Sequence, residues 1–480
     1  MFIILTILFP IIAGILVSCL GSTTYRYRCT LYGVISVISA LLGVILIIRG
    51  GSITLFAFSE NVTFSFMLDN IGKVFLAAVL ILYTCTAFYA FEYMKMEEEQ
   101  PVFFAFYYVS LGALIAVCAS ANLVTAYFCF ELATLTTVPL VLHEGTKECV
   151  AAGMKYLFYS VGGALMGLFG IFFVYFYGLA GREFRLGGFL DTASVSGHET
   201  ILMIAVFAAV VGFGTKAGMY PMHGWLPTAH PIAPAPASAL LSGIIAKAGV
   251  ILVIRLIYYS VGTDFIRGTW VQYTWMILAM LTIFMGSMMA FLEKNMKKRL
   301  AYSTISQISY IMLALSMLSE GGMRGALLHV VSHASSKGCL FLCAGAFIYK
   351  MGKRRVDELV GIGKQMPVVM CCFLAASLSL VGIPPMGGFL SKWVIAMSTV
   401  SNGMGVLSVL PIVILLISAM LTAGYLLPVA FKAFFPGKDA EVSSESFEPN
   451  ALMTVPMILL CATALVMGLF GVTILSAAGF

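Results

Sequence analysis

The feature that most constrains this chain is a succession of apolar runs, each about as long as the roughly 20 residues with which an α-helix crosses a bilayer. Of its 480 residues, 61% are hydrophobic and only 10% are charged. The sequence therefore predicts an all-α integral membrane protein. Because no segment combines a short apolar region with a small-residue cleavage site, we expect the first run to remain as a helix.

Counting the runs predicts about fourteen transmembrane helices. They lie at residues 2–20, 30–48, 71–92, 102–119, 122–142, 150–178, 200–220, 236–258, 270–291, 300–318, 325–349, 367–398, 405–434 and 452–475.

Basic residues in the loops predict the orientation, because they accumulate on the cytoplasmic side of a membrane. The richer set of alternate loops holds Arg26, Arg28, Lys95, Lys147, Lys294, Lys297, Lys298, Arg299, Lys350, Lys353, Arg354, Arg355, Lys364, Lys432 and Lys438. The poorer set holds Arg49, Arg182, Arg185, Arg267 and Arg324. We therefore expect both termini on the non-cytoplasmic side of a prokaryotic plasma membrane. The net charge of +6 reflects this topology and does not indicate nucleic-acid binding.

Glu131 lies about 15 Å along the fifth run, near the middle of the membrane. Burial disfavours an isolated charged carboxylate, so Lys216 or Lys247 is its expected partner. A fixed ion pair that ties two helices together is one interpretation. The other, favoured by the depth of the pair, is an ion pair that breaks and reforms during transport. The basic residues within runs are Lys73, Lys155, Lys216, Lys247, Arg255, Lys337 and Lys392.

Prolines predict two broken helices. Lys216 precedes Pro221 by five residues, and four further prolines follow within fifteen residues, which a continuous helix does not tolerate. The run from 367 is interrupted at Pro384 and Pro385, seven residues before Lys392. Paired broken helices at membrane depth are typical of transporter binding sites.

The spacing of the two breaks, 164 residues, suggests a duplicated five-helix unit. The predicted sections are an N-terminal three-helix section at 1–101, repeats at 102–262 and 263–436, and a C-terminal helix at 437–480.

His329, His333 and Lys337 follow one another at i, i+4 and i+8, so they share one helical face over about 12 Å. One interpretation of this helical face is that the histidines are core residues bonded to backbone carbonyls. The other interpretation is a proton relay, since histidine both accepts and donates protons near neutral pH, and the presence of Lys337 on the same face favours it. Asp69 and Lys73, at i and i+4, predict a local ion pair.

No metal site is predicted. His223 and His230 lack neighbouring carboxylates or thiols in the sequence, and the eleven cysteines form no CxxC pair. We expect no iron–sulfur cluster, zinc site or disulfide framework in this chain.

Several long motifs resemble the antiporter-like subunits of respiratory complex I, of multisubunit sodium/proton antiporters and of membrane-bound hydrogenases. The resemblance covers residues 102–434 and rests on KAGMYPMHGWLPTAHPIAPAPASALLSGIIAKAG, LAYSTISQISYIML, HVVSHASSKGCLFLCAGA, VDELVGIG and GIPPMGGFLSKW. It implies fourteen helices in two inverted five-helix repeats, each with one broken helix. It also implies a midplane row of ionisable residues, here Glu131, Lys216, Lys247, His329, His333, Lys337 and Lys392.

The chain departs from that family at two positions. Thr228 stands where relatives often have an aspartate, so any role of that acid is absent here. Lys392 stands where some relatives have a glutamate. We also expect the chain to resemble the shorter members of the family, without the long lateral helix of the largest complex I relative.

We expect a proton-translocating subunit of a redox-driven respiratory complex, of the hydrogenase or complex I type. The alternatives are a subunit of a sodium/proton antiporter without redox chemistry, and a passive scaffold whose buried charges only determine packing. The resemblance implies membrane partners, including related antiporter-like subunits, and soluble redox subunits that hold iron–sulfur or nickel–iron centres. This chain itself has no nucleophile–base set or cofactor motif.

Overall fold

The computed structural model describes residues 1–20, 24–59, 62–179, 181–403, 405–437 and 445–480. Lys438, counted above among the basic loop residues, lies outside them. The elements are α1 (Phe2–Ser18), α2 (Tyr25–Arg49), β1 (Ser52–Ser59), β2 (Val62–Met67), α3 (Asn70–Tyr93), α4 (Gln100–Cys118), α5 (Leu123–Leu142), α6 (Lys147–Phe176), α7 (Thr192–Val195), α8 (Glu199–Ala217), α9 (Leu226–Ile232), α10 (Ala235–Leu240), α11 (Lys247–Leu256), α12 (Thr263–Ile266), α13 (Trp270–Leu292), α14 (Met296–Ser316), α15 (Glu320–Met351), α16 (Ile362–Gln365), α17 (Pro367–Val381), α18 (Gly387–Ser401), α19 (Val406–Phe434) and α20 (Ala451–Ala477).

Helices cover every predicted apolar run. Among the described residues, eleven helices are long and apolar enough to cross a membrane, which supports a multi-pass integral membrane protein. Phe2–Ser18 and Pro367–Val381 are shorter apolar helices. The total of fourteen spans, the inverted repeats and the section boundaries stay predictions.

Polar residues before the apolar runs determine where several helices begin. The side chains of Asn122, Thr146 and Ser319 each accept a hydrogen bond from a backbone N–H in the first turn of the next helix. Each therefore satisfies a donor that the start of a helix leaves unpaired. These caps begin α5, α6 and α15, which carry or contact the ionisable residues.

A β-hairpin between α2 and α3 was not predicted. Its strands are antiparallel, with Ser52 opposite Met67 and Ser59 opposite Val62. The rings of Phe56 and Phe64 stack across the strands with centroids 5.3 Å apart. The alternation of Ser or Thr with aromatic and branched residues favours strands, but these segments are too short to stand out between long apolar runs.

The centre of the bundle is formed by α10, α11 and α15, with two π-helical segments, Leu241–Ile245 and Ile257–Val261, flanking α11. The apolar stretch within Ala235–Val261 is buried, whereas only 33% of the apolar stretch of α2 and 28% of those of α19 and α20 are buried. The outer helices therefore have the faces available to lipid or to other subunits. Lys247 on α11, Lys297 on α14 and Lys337 on α15 lie in the protein interior.

The predicted ion pair between Asp69 and Lys73 is wrong. Asp69 caps α3 by accepting from the backbone N–H of Gly72, and both of its carboxylate oxygens accept from Arg255, at 2.5 and 2.6 Å. A cap position directs the carboxylate back from the helix, away from a residue one turn further on. The planar guanidinium of buried Arg255 matches both oxygens, which a lysine does not.

Candidate functional site

The first broken helix is confirmed at the predicted place. Helix α8 ends at Ala217, one residue after Lys216, and Gly218 follows in the left-handed conformation at φ 78°. An added Cβ at Gly218 would lie 2.3 Å from the side chain of Leu226, so glycine permits the turn and the close return of the chain. The indole of Trp225 donates to the carbonyl of Thr215 at 2.9 Å and satisfies one carbonyl freed by the break.

Lys216 lies in a buried pocket of hydroxyl groups and aromatic rings. Its ammonium donates to Thr134 Oγ1 at 3.1 Å and to the hydroxyl of Tyr156, and it lies 4.4 Å from the centre of the Tyr156 ring. Tyr156 is in turn hydrogen-bonded to Thr137 at 2.7 Å. These contacts fix the position of the Lys216 amino group among hydroxyl groups.

Glu131 lies beside this pocket without contacting the lysine directly. It interacts electrostatically with Lys216, and Thr134, which Lys216 contacts, is one turn further along α5. Within the described part of the chain, Glu131 Oε1 is buried and has no hydrogen-bond partner. Of the two predicted partners, Lys216 is therefore the one that lies near Glu131. The distance between Lys216 and Glu131 exceeds the 4.0 Å of an ion pair.

Lys247 and His333, two of the predicted site residues, contact each other directly. Lys247 is fully buried, and its Nζ lies 2.8 Å from Nδ1 of His333. The same ammonium donates to the carbonyls of Ser242, at 3.3 Å, and of Gly243. Both carbonyls belong to the π-helical segment that precedes α11, where the Ala246 N–H bonds to a carbonyl five residues back. The wide turn thus supplies oxygen ligands at the position where the ammonium lies.

The buried histidines continue the row from Lys247. The rings of His333 and His329 are 5.8 Å apart between centroids, and His329 Nδ1 lies 2.9 Å from Ser391 Oγ. In the described structure, Nε2 of both histidines is buried and lacks a protein partner. Tyr310 lies next to His329, with ring centroids 5.5 Å apart.

The second broken helix brings Lys392 to the end of the row. Helix α17 ends at Val381, Gly382 adopts φ 93°, and α18 begins at Gly387, as the prolines at 384 and 385 predicted. The ammonium of Lys392 donates to the carbonyls of Leu380, at 2.5 Å, and Val381, at 3.1 Å. These carbonyls form the C-terminus of α17, where the helix dipole favours a cation.

Lys337 lies on the same helix as the two histidines, as predicted, and bonds to a neighbouring helix. It is fully buried, but its ammonium donates to the carbonyl of Leu300 on α14, at 3.0 Å, instead of contacting either histidine. It interacts electrostatically with Lys247, His230 and His333. Its one hydrogen bond given by the structure thus runs to α14, while its charge acts on both Lys247 and His333.

A polar cavity, which the sequence did not predict, lies at the ends of these helices. It has a volume of about 650 Å³ and is lined partly by Glu97, Glu144, Glu148, Lys297 and Arg354. Two of these, Lys297 and Arg354, belong to the loop set predicted to face the cytoplasm. Burial and the charge of Glu144 raise the pKa of Glu97 above its usual value, although Lys297 and Arg354 act in the opposite direction.

His230 lies between this cavity and the central row. Within the described residues, neither of its ring nitrogens has a hydrogen-bond partner, and its ring stacks on Phe341 with centroids 4.8 Å apart. His230 interacts electrostatically both with Lys297, which lines the cavity, and with Lys337. In the sequence, only its place in a proline-rich apolar segment distinguished His230 as a candidate functional residue.

Cysteines from three helices also meet, although their spacing suggested no site. Cys339 Sγ and Cys461 Sγ are 3.4 Å apart, and both thiols donate to the carbonyl of Cys372. Across the described ranges, no group of three or more His, Cys, Asp or Glu residues is arranged to hold a metal ion.

The two broken helices and the interior row of bases define the class: an antiporter-like membrane subunit. The family described as NADH:quinone oxidoreductase/Mrp antiporter, TM, matches residues 120–426, and the chain belongs to this family.

Two curated relatives illustrate the breadth of the family. The chain is 32% identical over 400 residues to NADH-quinone oxidoreductase subunit N of Desulforudis audaxviator, covering 80% of this chain and 77% of that protein. It is 30% identical over 346 residues to hydrogenase-4 component B of Escherichia coli, covering 68% of this chain and 49% of that protein.

Two solved structures share the fold. A chain of the membrane-bound sulfane sulfur reductase, an archaeal respiratory membrane complex, matches with a TM-score of 0.85 at 20% identity over 99% of this chain and 96% of that one. A chain of the Mrp complex from Dietzia sp. matches with a TM-score of 0.83, also at 20% identity, over 99% and 96%.

Proposed function

We propose that this chain translocates protons as a subunit of a redox-driven respiratory complex of the hydrogenase or complex I type. The observation that carries the proposal is the 2.8 Å contact between buried Lys247 and His333, which lie between the half-buried Glu131 and Lys392 in the proposed row. In a contact between two bases, a shared proton can reside on either the Lys247 amine or the His333 imidazole. It therefore suits proton transfer better than structural pairing.

The first step is at Lys216. Thr134 and Tyr156 hold its ammonium, and the charge of Glu131 stabilises it electrostatically without direct contact. When Glu131 moves away or is neutralised, the charged lysine loses part of that stabilisation in a site that excludes bulk water. Its proton then passes toward Lys247.

The second step runs through the histidines. Lys247 transfers its proton to His333, and the neighbouring ring of His329 continues the path. Water bridging between the buried Nε2 atoms is part of this proposal, because ring centroids 5.8 Å apart do not themselves make a hydrogen bond. Lys392, held by the end of α17, is the proposed exit residue.

The polar cavity supplies a route for uptake. Water in the cavity reaches Lys297, and His230 links Lys297 electrostatically to Lys337 and so to the central row. We place this route on the cytoplasmic side, in a prokaryotic plasma membrane with both chain termini on the opposite side.

The redox chemistry belongs to other subunits in this proposal. Iron–sulfur or nickel–iron centres lie in soluble partners, and related antiporter-like subunits lie beside this chain in the membrane. The relatives support the assignment, since one is a subunit of an NADH-quinone oxidoreductase and another a component of a hydrogenase.

A sodium/proton antiporter subunit without redox partners is the second candidate, because the family description includes the Mrp antiporter. The row consists mainly of lysines and histidines, which repel a sodium ion when protonated and offer few oxygen ligands. Copurification with iron–sulfur or nickel–iron subunits supports the first candidate, and isolation of an intact complex without them supports the second.

The decisive experiment measures proton pumping in the assembled complex. We expect Lys216→Ala and Glu131→Gln each to abolish pumping while the complex still assembles. A passive scaffold predicts normal pumping in any variant that assembles, so normal pumping in both variants refutes the proposal.

A further inference from the structure

A groove on the outer face of the protein lies between α2 and α3 and plays no part in the proposed transport. Its volume is about 790 Å³. Its walls include Gly33 and Ile38 of α2, Phe88 of α3 and Leu452 at the start of α20. Only 33% of the apolar stretch of α2 is buried within this chain, so the groove opens toward the lipid or a neighbouring subunit.

Charge is confined to one end of the groove. Arg26 and Lys95 line this end, and both belong to the loop set predicted to face the cytoplasm. Lys95 donates to Glu92 at 2.6 Å, which leaves it further N–H donors, and Arg26 is exposed. From this end toward Ile38 the lining is predominantly apolar.

The dimensions identify the kind of occupant. From Arg26 to Ile38 the helix rises about 18 Å, close to the ~15 Å that one leaflet contributes to the hydrocarbon core. An extended acyl chain of this length fits along the apolar wall of the groove.

We propose that this groove binds an anionic phospholipid of the cytoplasmic leaflet, with its phosphate at Arg26 and Lys95 and an acyl chain along the wall from Gly33 to Ile38. Basic residues at the cytoplasmic end of a cleft between transmembrane helices are a recurrent headgroup site. The apolar length excludes a free phosphate as the main ligand, because it would leave most of the groove unfilled.

Gly33 offers a specific way to close the groove. An added Cβ at this position would lie 3.7 Å from Phe91 and 4.0 Å from Phe88, which is ordinary contact, so a larger side chain fits without a backbone clash. Leucine there would occupy the space assigned to the acyl chain. It would also favour the helix, since leucine has a higher helix propensity than glycine.

The experiment uses the intact complex purified in detergent, depleted of lipid and titrated with 1-palmitoyl-2-oleoyl phosphatidylglycerol or the corresponding phosphatidylcholine. Native mass spectrometry counts bound lipid. We expect Arg26→Gln to weaken phosphatidylglycerol binding about fivefold, the effect of one basic residue near a headgroup, and to leave phosphatidylcholine binding unchanged. Gly33→Leu should abolish binding of both lipids at this site.

Two matched controls are available. Arg49→Gln removes an exposed arginine at the other end of α2, and Gly162→Leu adds the same side chain on α6, where an added Cβ meets no atom within 4 Å. Both controls should bind lipid like the unmodified complex. Unchanged lipid binding in Gly33→Leu, or a subunit helix found crosslinked in the groove, overturns the proposal. Proton pumping is measured separately, so a failed lipid site does not bear on the transport residues.

Discussion

Replacing Lys247 with arginine tests whether this residue must release a proton or only carry a charge. Lys247 Nζ lies 2.8 Å from His333 Nδ1. Two full charges at that separation repel by about 6 kcal/mol at an effective dielectric constant of about 20, or roughly four decades in an equilibrium constant. This repulsion disfavours charge on both bases at once, and the proposed mechanism requires Lys247 to become neutral in each cycle.

Arginine keeps the positive charge and the hydrogen-bond donors of Lys247 but remains protonated. The reference pKa values of the free side chains differ by about 2 to 3 units, which corresponds to about 3 to 5 kcal/mol. If release from Lys247 limits turnover, Lys247→Arg slows proton flux by about 100-fold to 1000-fold. A scaffold role predicts the opposite, because a fixed cation would still meet the carbonyls of Ser242 and Gly243.

The assay follows fluorescence quenching of an acridine dye in inverted membrane vesicles that contain the assembled complex, with redox turnover measured in parallel. A native gel reports assembly, which is needed because arginine is larger than lysine at this buried position. Lys247→Met is the neutral companion and should also stop proton flux. Lys147→Arg, at an exposed position, is the control for the exchange itself. Wild-type flux in an assembled Lys247→Arg complex would refute the reasoning.

Three further predictions concern groups outside this row. Arg255→Met leaves the Asp69 carboxylate without its partner and should lower the free energy of unfolding by about 3 kcal/mol, seen as a lower midpoint of thermal unfolding in detergent; an unchanged midpoint contradicts it. Oxidation with copper phenanthroline should join Cys339 to Cys461, and mass spectrometry of the digested chain should find the linked peptides, which a Cys461→Ser variant must lack. Burial raises the pKa of Glu97, so over a range of pH the Glu97 carboxyl is protonated in the folded protein and ionised in the unfolded chain. The free energy of unfolding therefore declines as pH rises through that range. Glu97→Gln should flatten this decline in unfolding curves recorded from about pH 4 to about pH 7, and an equally steep decline in the variant contradicts the assignment.

Local signals in the sequence were sufficient for the helices and for both breaks. Prolines near Lys216 and Lys392 act on the backbone within a few residues, so their effect could be predicted without knowing the packing. The i, i+4 spacing correctly placed His329 and His333 in contact range on one face. Their assignment to proton transfer remains a prediction.

Contacts between distant segments could not be predicted. Asp69 meets Arg255 across 186 residues of chain, and no local pattern distinguishes that partner from Lys73. The bond from Lys337 to the carbonyl of Leu300 depends on α14, which lies within reach only after the bundle has formed. The polar cavity likewise exists only where the ends of several helices converge.

The π-helical turn before Lys247 sets the angular phase of all the residues that follow it on the same helix. Each residue of an α-helix turns the chain by about 100°, so deleting a single residue from this turn would swing the ammonium about a quarter of a revolution or more around the axis. The lysine would then face a different neighbour although every side chain in the row was still present. Sequence length through this short stretch is therefore as much a determinant of the site as the identity of its bases.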